Sequence, residues 1–226
     1  MRKVILWIIW ILFVSYTLWL APLDHPYTWY VGRKLITLQW GEVNAYLIAI
    51  LGLMGVWPLI YACLMVADDR TQNFRAWTYF VGSNFTGVIC LLPYLIFRRS
   101  NQEFYGGRDR LLDILERRST GVTLLVTTVM LISYALIAGD WADYIQLFQT
   151  KPFVHLISLD FCLMCLIFPI ASLFDDDMGR RGIHNPSIFW AVALVPLFGP
   201  LLYLCWRPSL DEAYSKPHPM ELKQFT

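Results

Sequence analysis

The stretch SLFDDDMGRRG, Ser172 to Gly182, sets three consecutive carboxylates and two arginines directly behind an apolar run. It reads either as a metal-diphosphate site in the manner of prenyl-transfer enzymes or as the charged end of a membrane helix. Hard cations need oxygen ligands and arginines clamp phosphate, so the residue types suit the first reading. The spacing does not: the carboxylates are compressed relative to a DDxxD pattern. The nearest second acidic pair, Asp140 and Asp143 of GDWAD, counts onto the other side of the membrane. The stretch is therefore expected to be a helix stop with interfacial charges, its Arg180 and Arg181 meeting anionic head groups or Asp175 to Asp177. No metal site is expected.

The apolar run in front of it is one of several. Of 226 residues 57% are apolar and 15% charged, and the apolar ones fall in blocks of the length that spans a hydrocarbon layer of roughly 30 Å. The expected fold is all-α, a polytopic transmembrane helix bundle forming a single integral membrane domain. It has six spans, near 4–20, 43–67, 77–97, 121–139, 153–174 and 187–206, or five if the N-terminal segment is cleaved near WLAPLD. Pro58, Pro93, Pro169, Pro196 and Pro200 lie inside spans, where neighbouring helices re-satisfy the freed carbonyls. No internal repeat is apparent. Residues 98–118 are expected to form an amphipathic surface loop, with Leu111, Ile114 and Leu115 at helical spacing, and 207–226 a flexible polar tail.

Six crossings place ten Lys and Arg on the side holding 98–118 and eight on the side holding both termini, a margin too small to orient the chain. The six arginines of 98–118 point to the cytoplasmic or stromal face for that loop. A net charge of +1 and the lack of basic stretches interleaved with exposed aromatics give no reason to expect nucleic acid as partner. The five cysteines all fall within apolar runs and read as buried packers, including Cys162 and Cys165 of CLMC, whose mid-span position works against redox use.

One ionisable side chain, Asp160, lies deep in the fifth span. A carboxylate there costs about 2.5 to 3.5 kcal/mol on insertion scales, so it must face other helices or a wet cavity. Counting equal depths on the other spans brings Asn84, Ser83, Tyr61 and Ser133 to the same level, an expected intramembrane polar layer. It serves either as interhelical glue or as a proton or ion site. His155, near the interface, is a candidate ligand for a haem or chlorophyll, with an interfacial hydrogen bond as the simpler reading. Asn44 in GEVNAY offers a weaker pigment signal. No cofactor is required by the sequence; a bound pigment or lipid fits its apolar surfaces.

GVICLLPYLIFR (87–98), LDFCLMCLIFP (159–169), DDDMGRRG (175–182) and VPLFGPLLYLCWRP (195–208) together resemble an uncharacterised family of small polytopic membrane proteins of cyanobacteria and plastids. The resemblance implies a multi-pass protein of a thylakoid or inner membrane and no substrate. The expected function is that of a non-enzymatic accessory or assembly protein that holds an apolar pigment, a lipid or a partner helix. Its partners are the lipid bilayer and other membrane proteins, and no catalytic residue is assigned. The alternative is a membrane enzyme or transporter using Asp160, oriented by Asn84, to handle a proton or ion.

Overall fold

Backbone inside hydrocarbon must satisfy its own N–H and C=O groups, and long apolar runs do so as helix. The computed structural model describes residues 2–19, 26–104 and 110–210, and among these it has twelve α-helices and no strand. In chain order they are α1 (Arg2–Trp19), α2 (Pro26–Ile36), α3 (Ala45–Asp68), α4 (Ala76–Thr86), α5 (Val88–Phe97), α6 (Arg110–Glu116), α7 (Arg118–Ala138), α8 (Trp141–Thr150), α9 (Pro152–Ile170), α10 (Leu173–Arg180), α11 (Pro186–Ala193) and α12 (Phe198–Trp206). The cleavage candidate WLAPLD and most of the expected tail lie outside the described residues.

Four helices, α1, α3, α7 and α9, are long and apolar enough to cross a membrane. They make a bundle with α3 at its centre: Trp57, Ile60 and Cys63 of that helix are fully enclosed. Leu12 and Leu18 of α1 and Met130 and Ile137 of α7 are exposed, as side chains that meet lipid tails would be.

The third and sixth expected spans are not single helices. At Gly87 the backbone adopts φ +59° and ψ −130°, and the chain folds back so that α4 and α5 form a hairpin. Tyr79 and Tyr94 bring their rings to 5.8 Å, and Gln72 exchanges two hydrogen bonds with the backbone of Arg99. A continuous helix would hold Tyr79 and Tyr94 about 22 Å apart. The second hairpin, α11 and α12, turns through 194–197, with Leu197 at φ 69°. Phe189 and Tyr203, one from each arm, pack on the same ring of Phe174, and a Cβ on Gly199 would stand 2.0 Å from the Val192 carbonyl. Arms of 8 to 11 residues reach about 12 to 17 Å, half a bilayer core. Where six single spans are expected, the structure has four helices long and apolar enough to cross a membrane and two hairpins of shorter helices. The count failed because two half-length arms have the summed length and hydropathy of one span.

Both hairpins enter from one end of the bundle. α1 starts there, its Lys3 ammonium donating to the Arg98 carbonyl at 3.1 Å, and runs down against α5 until the Trp10 indole donates to the Ile89 carbonyl. α7 runs antiparallel to α12, Gly121 lying against the backbone of Leu204 and Cys205. α2 and α8 lie at the opposite end, where Asn44 caps α3 and donates to Asp140 and Asp143 at the start of α8. This regroups the cations. Among the described residues twelve Lys and Arg fall at the hairpin end (Arg2, Lys3, Arg70, Arg75, Arg98, Arg99, Arg110, Arg117, Arg118, Arg180, Arg181, Arg207) and three at the other (Arg33, Lys34, Lys151). For these fifteen residues six crossings would give nine to six, and the structure gives twelve to three.

The element order repeats. With α6 between the two series and α10 inserted in the second, α1, α2, α3 and the α4/α5 hairpin are followed by α7, α8, α9 and the α11/α12 hairpin: long apolar helix, shorter helix, long apolar helix, hairpin. The inner arms end alike, LLPYLIFR (91–98) against PLLYLCWR (200–207), with Tyr94 and Arg98 matching Tyr203 and Arg207. The expectation of no internal repeat is therefore also corrected. Too few residues coincide for the likeness to stand out in the sequence alone.

Gly87 tests the hairpin. A Cβ there would sit 1.6 Å from Asp160 Oδ2 on a backbone that L-residues avoid. Gly87→Ala is expected to cost at least about 2 kcal/mol from strain and overpacking, read as a lower unfolding temperature in detergent. Gly55→Ala, whose added Cβ meets nothing within 4 Å, is expected to leave it unchanged.

Candidate functional site

α9 ends at Ile170, and the acidic stretch forms a separate short helix, α10, tucked beneath the hairpin end. Its residues alternate between two partners. Asp176 and Arg180, four apart on one stripe, face the first unit; Asp177 and Arg181, the adjacent stripe, face the second.

On the first side, Asp68 at the end of α3 is the centre. Its Oδ2 accepts from the Tyr94 hydroxyl at 2.7 Å and Arg98 Nε at 2.9 Å, and its Oδ1 accepts from Arg98 Nη2 at 2.5 Å and from Arg180 Nη2. Arg98 also donates to Asp176 at 2.6 Å and to the Ser172 hydroxyl at 2.7 Å, while Ser100 donates to Asp176. On the second side Asp177 accepts from Arg181 Nε at 2.9 Å, Tyr203 at 2.7 Å and Arg207 at 3.3 Å. Glu116, closing α6, accepts from Arg181 at 2.6 Å and pairs with Arg207 at 3.0 Å. Asp68 precedes its tyrosine and arginine partners by 26 and 30 residues, and Asp177 precedes its own by the same 26 and 30. That matched interval is the sequence signal that locates the cluster.

Four carboxylates (Asp68, Glu116, Asp176, Asp177) meet four guanidiniums (Arg98, Arg180, Arg181, Arg207), so the cluster carries no net charge. Every one of these side chains is at most 3% exposed. Burial by itself would raise the Asp177 carboxyl, but Arg181 and Arg207 outweigh it and hold that carboxyl well below the usual range. Burial would likewise lower the Arg98 and Arg181 guanidiniums, and their carboxylate partners drive them up instead. Of the two partners expected for Arg180 and Arg181, head groups or the neighbouring carboxylates, the structure shows carboxylates of the same chain: Arg181 meets Asp177, and Arg180 meets Asp68 of α3. Among the described residues no group of three or more His, Cys, Asp or Glu is disposed to hold a metal ion.

Asp160 lies elsewhere, at the tip of the first hairpin. Its Oδ1 accepts from the Val88 backbone N–H at 2.9 Å, the first orphan donor of α5, and the carboxylate rests against the bare face of Gly87. It is an N-terminal cap delivered from another helix. The expected polar layer does not assemble around it. Ser83 and Asn84 both donate to the Phe80 carbonyl within their own helix, Tyr61 donates to the Met164 carbonyl at 3.0 Å, and Ser133 is exposed. Equal depth along straight spans does not bring these residues together because the third segment turns back at Gly87: Ser83 and Asn84 stay on α4, while Asp160 meets the start of α5. His155 stacks on Phe148 at 4.3 Å and lies beside Tyr16. Of the cysteines, Cys63 is buried while Cys162 is exposed on α9. On α6, Leu112 is the fully buried residue, and Leu111 and Ile114 face outward.

Comparison of the chain with protein-family models, with curated proteins and with solved structures yields no match.

Removing one partner from a buried ion cluster strands the others. Asp68→Ala leaves Arg98 and Arg180 short of a carboxylate and is expected to cost about 3 to 5 kcal/mol in detergent unfolding. Tyr203→Phe removes one hydrogen bond and is expected to cost about 1 kcal/mol. The lowered Asp177 carboxyl stabilises the fold above its unfolded-state value of about 3.9, and that contribution is lost as pH falls through the folded value. The unfolding temperature is expected to be insensitive to this group from pH 7 to 5 and to drop below about pH 4, with the drop blunted in Asp177→Asn.

Proposed function

We propose that the chain is a non-enzymatic integral membrane accessory or assembly protein that holds an apolar ligand or a partner protein against its lipid-facing surface. The observation that supports this most is the commitment of its charged groups. The carboxylates of the ion cluster are each bonded to guanidiniums, and Asp160 is engaged in capping α5. A proton or ion carrier needs a polar group that can exchange partners along a wet path; here the group expected to do so holds a hairpin tip in place. The concave features lie on the outside instead, one of them a groove among α3, α4 and α6 and another between α11 and α12.

The hairpin end, with twelve of the fifteen described cations, is the cytoplasmic or stromal end by the positive-inside rule. The family resemblance favours a thylakoid or inner membrane as the site.

Proteoliposomes holding the purified chain are expected to show no more proton or cation flux than empty vesicles, and mild-detergent extracts of the native membrane to carry the chain in a larger assembly on a native gel. A flux that Asp160→Asn abolishes would reverse the proposal and favour a transporter.

A further inference from the structure

We propose that the hairpin end selects anionic lipids from the leaflet around it through an exposed cationic rim, Lys3, Arg75 and Arg99, at the first hairpin; this stands apart from the accessory reading. The ion cluster is what leaves the rim uncompensated. Four of the twelve cations at this end are enclosed with four carboxylates and sum to zero. Outside the cluster eight described Lys and Arg remain against four acids, Asp69, Glu103, Asp113 and Asp175, an excess of four positive charges. Of these acids Asp69, the nearest in sequence to Arg75, is already engaged in accepting the Ala76 N–H.

Hydrogen bonds draw the three rim residues to one side of the molecule. The Lys3 ammonium donates to the Arg98 carbonyl, which sets it beside Arg99. The Gln72 side chain exchanges bonds of 2.8 and 2.7 Å with the Arg99 backbone, and Arg75 follows Gln72 by three residues at the start of α4. All three are exposed, and among the described residues none of them pairs with a carboxylate. Beneath them the surface is aromatic. Trp7, one turn after Lys3 on α1, meets Phe97 edge-on at 5.8 Å, and Trp77 lies two residues after Arg75; the three rings are 36%, 53% and 55% exposed. Tryptophan with cations above it is the profile of a helix end at a bilayer interface. Lys3 opens the long apolar helix α1, and Arg75 and Arg99 lie within two residues of the hairpin arms, so the charges stand at head-group level. There the phosphate layer surrounds them, and an anionic leaflet attracts such juxtamembrane cations.

Electron spin resonance of spin-labelled phosphatidylglycerol and phosphatidylcholine, in phosphatidylcholine vesicles holding the full chain, tests this. The motionally restricted share of label is expected to show a relative association at least about twofold in favour of phosphatidylglycerol, lost in about 1 M salt, where the Debye length is about 3 Å. Arg75→Gln combined with Arg99→Gln is expected to remove at least about half of that preference. The fold holds both positions without their guanidiniums, since Arg99 is bonded through its backbone and the Arg75 side chain makes no capping bond. Arg33→Gln, exposed at the opposite end, is expected to leave the preference unchanged. Equal association of the two lipids with the wild-type chain, or a preference that persists in high salt or in the Arg75 and Arg99 pair, would overturn the assignment. Equal association together with a native assembly that the same pair releases would overturn it in favour of an acidic protein partner.

Discussion

Everything at the hairpin end is held by the eight-member ion cluster around α10. Asp68, Arg98 and Arg207 terminate or follow α3, α5 and α12; the α10 segment joins them, Asp176 and Arg180 reaching the first two and Asp177 the third. The interaction is all-or-none in character. Eight desolvated charges are tolerable only because they sum to zero and share hydrogen bonds with Tyr94, Tyr203, Ser100 and Ser172. The return on that cost is geometric specificity. Two short hairpins, too brief to be anchored by apolar contact alone, are tied by their final residue, Arg98 or Arg207, to a fixed point.

Around α10 the protein is inverted relative to a soluble fold, with eight charged side chains enclosed. That inversion explains why composition placed the chain in a membrane while the charged stretch misled. A run such as DDDMGRR reads as solvated when its neighbours in sequence are considered, and as enclosed only when Asp68, thirty residues before Arg98, and Arg207 at the far end of the chain are brought to it.

What could be read from residues alone follows the range of the forces involved. The all-α class, the four long helices and the singular cost of Asp160 are local matters of length, hydropathy and desolvation, and all were legible. The hairpins were not, because their turning points are single residues: Gly87 is one glycine among thirteen, and Leu197 carries no turn signature. Nor was the role of Asp160, whose partner is a backbone N–H with no side-chain identity to match. The cluster itself left a trace in the equal Asp-to-Tyr and Asp-to-Arg intervals, which comparison of the two halves reveals and a scan for local motifs passes over.

The direction in which the two units enter also has a developmental side. Each contains two helices long and apolar enough to cross a membrane and one hairpin, so each begins and finishes at the same end of the bundle. A unit of even crossing number can be copied in tandem without turning the copy upside down, so the insertion machinery needs no reversal of loop charge to accept the second half. In that arrangement the same end of both halves is always the one that collects the arginines.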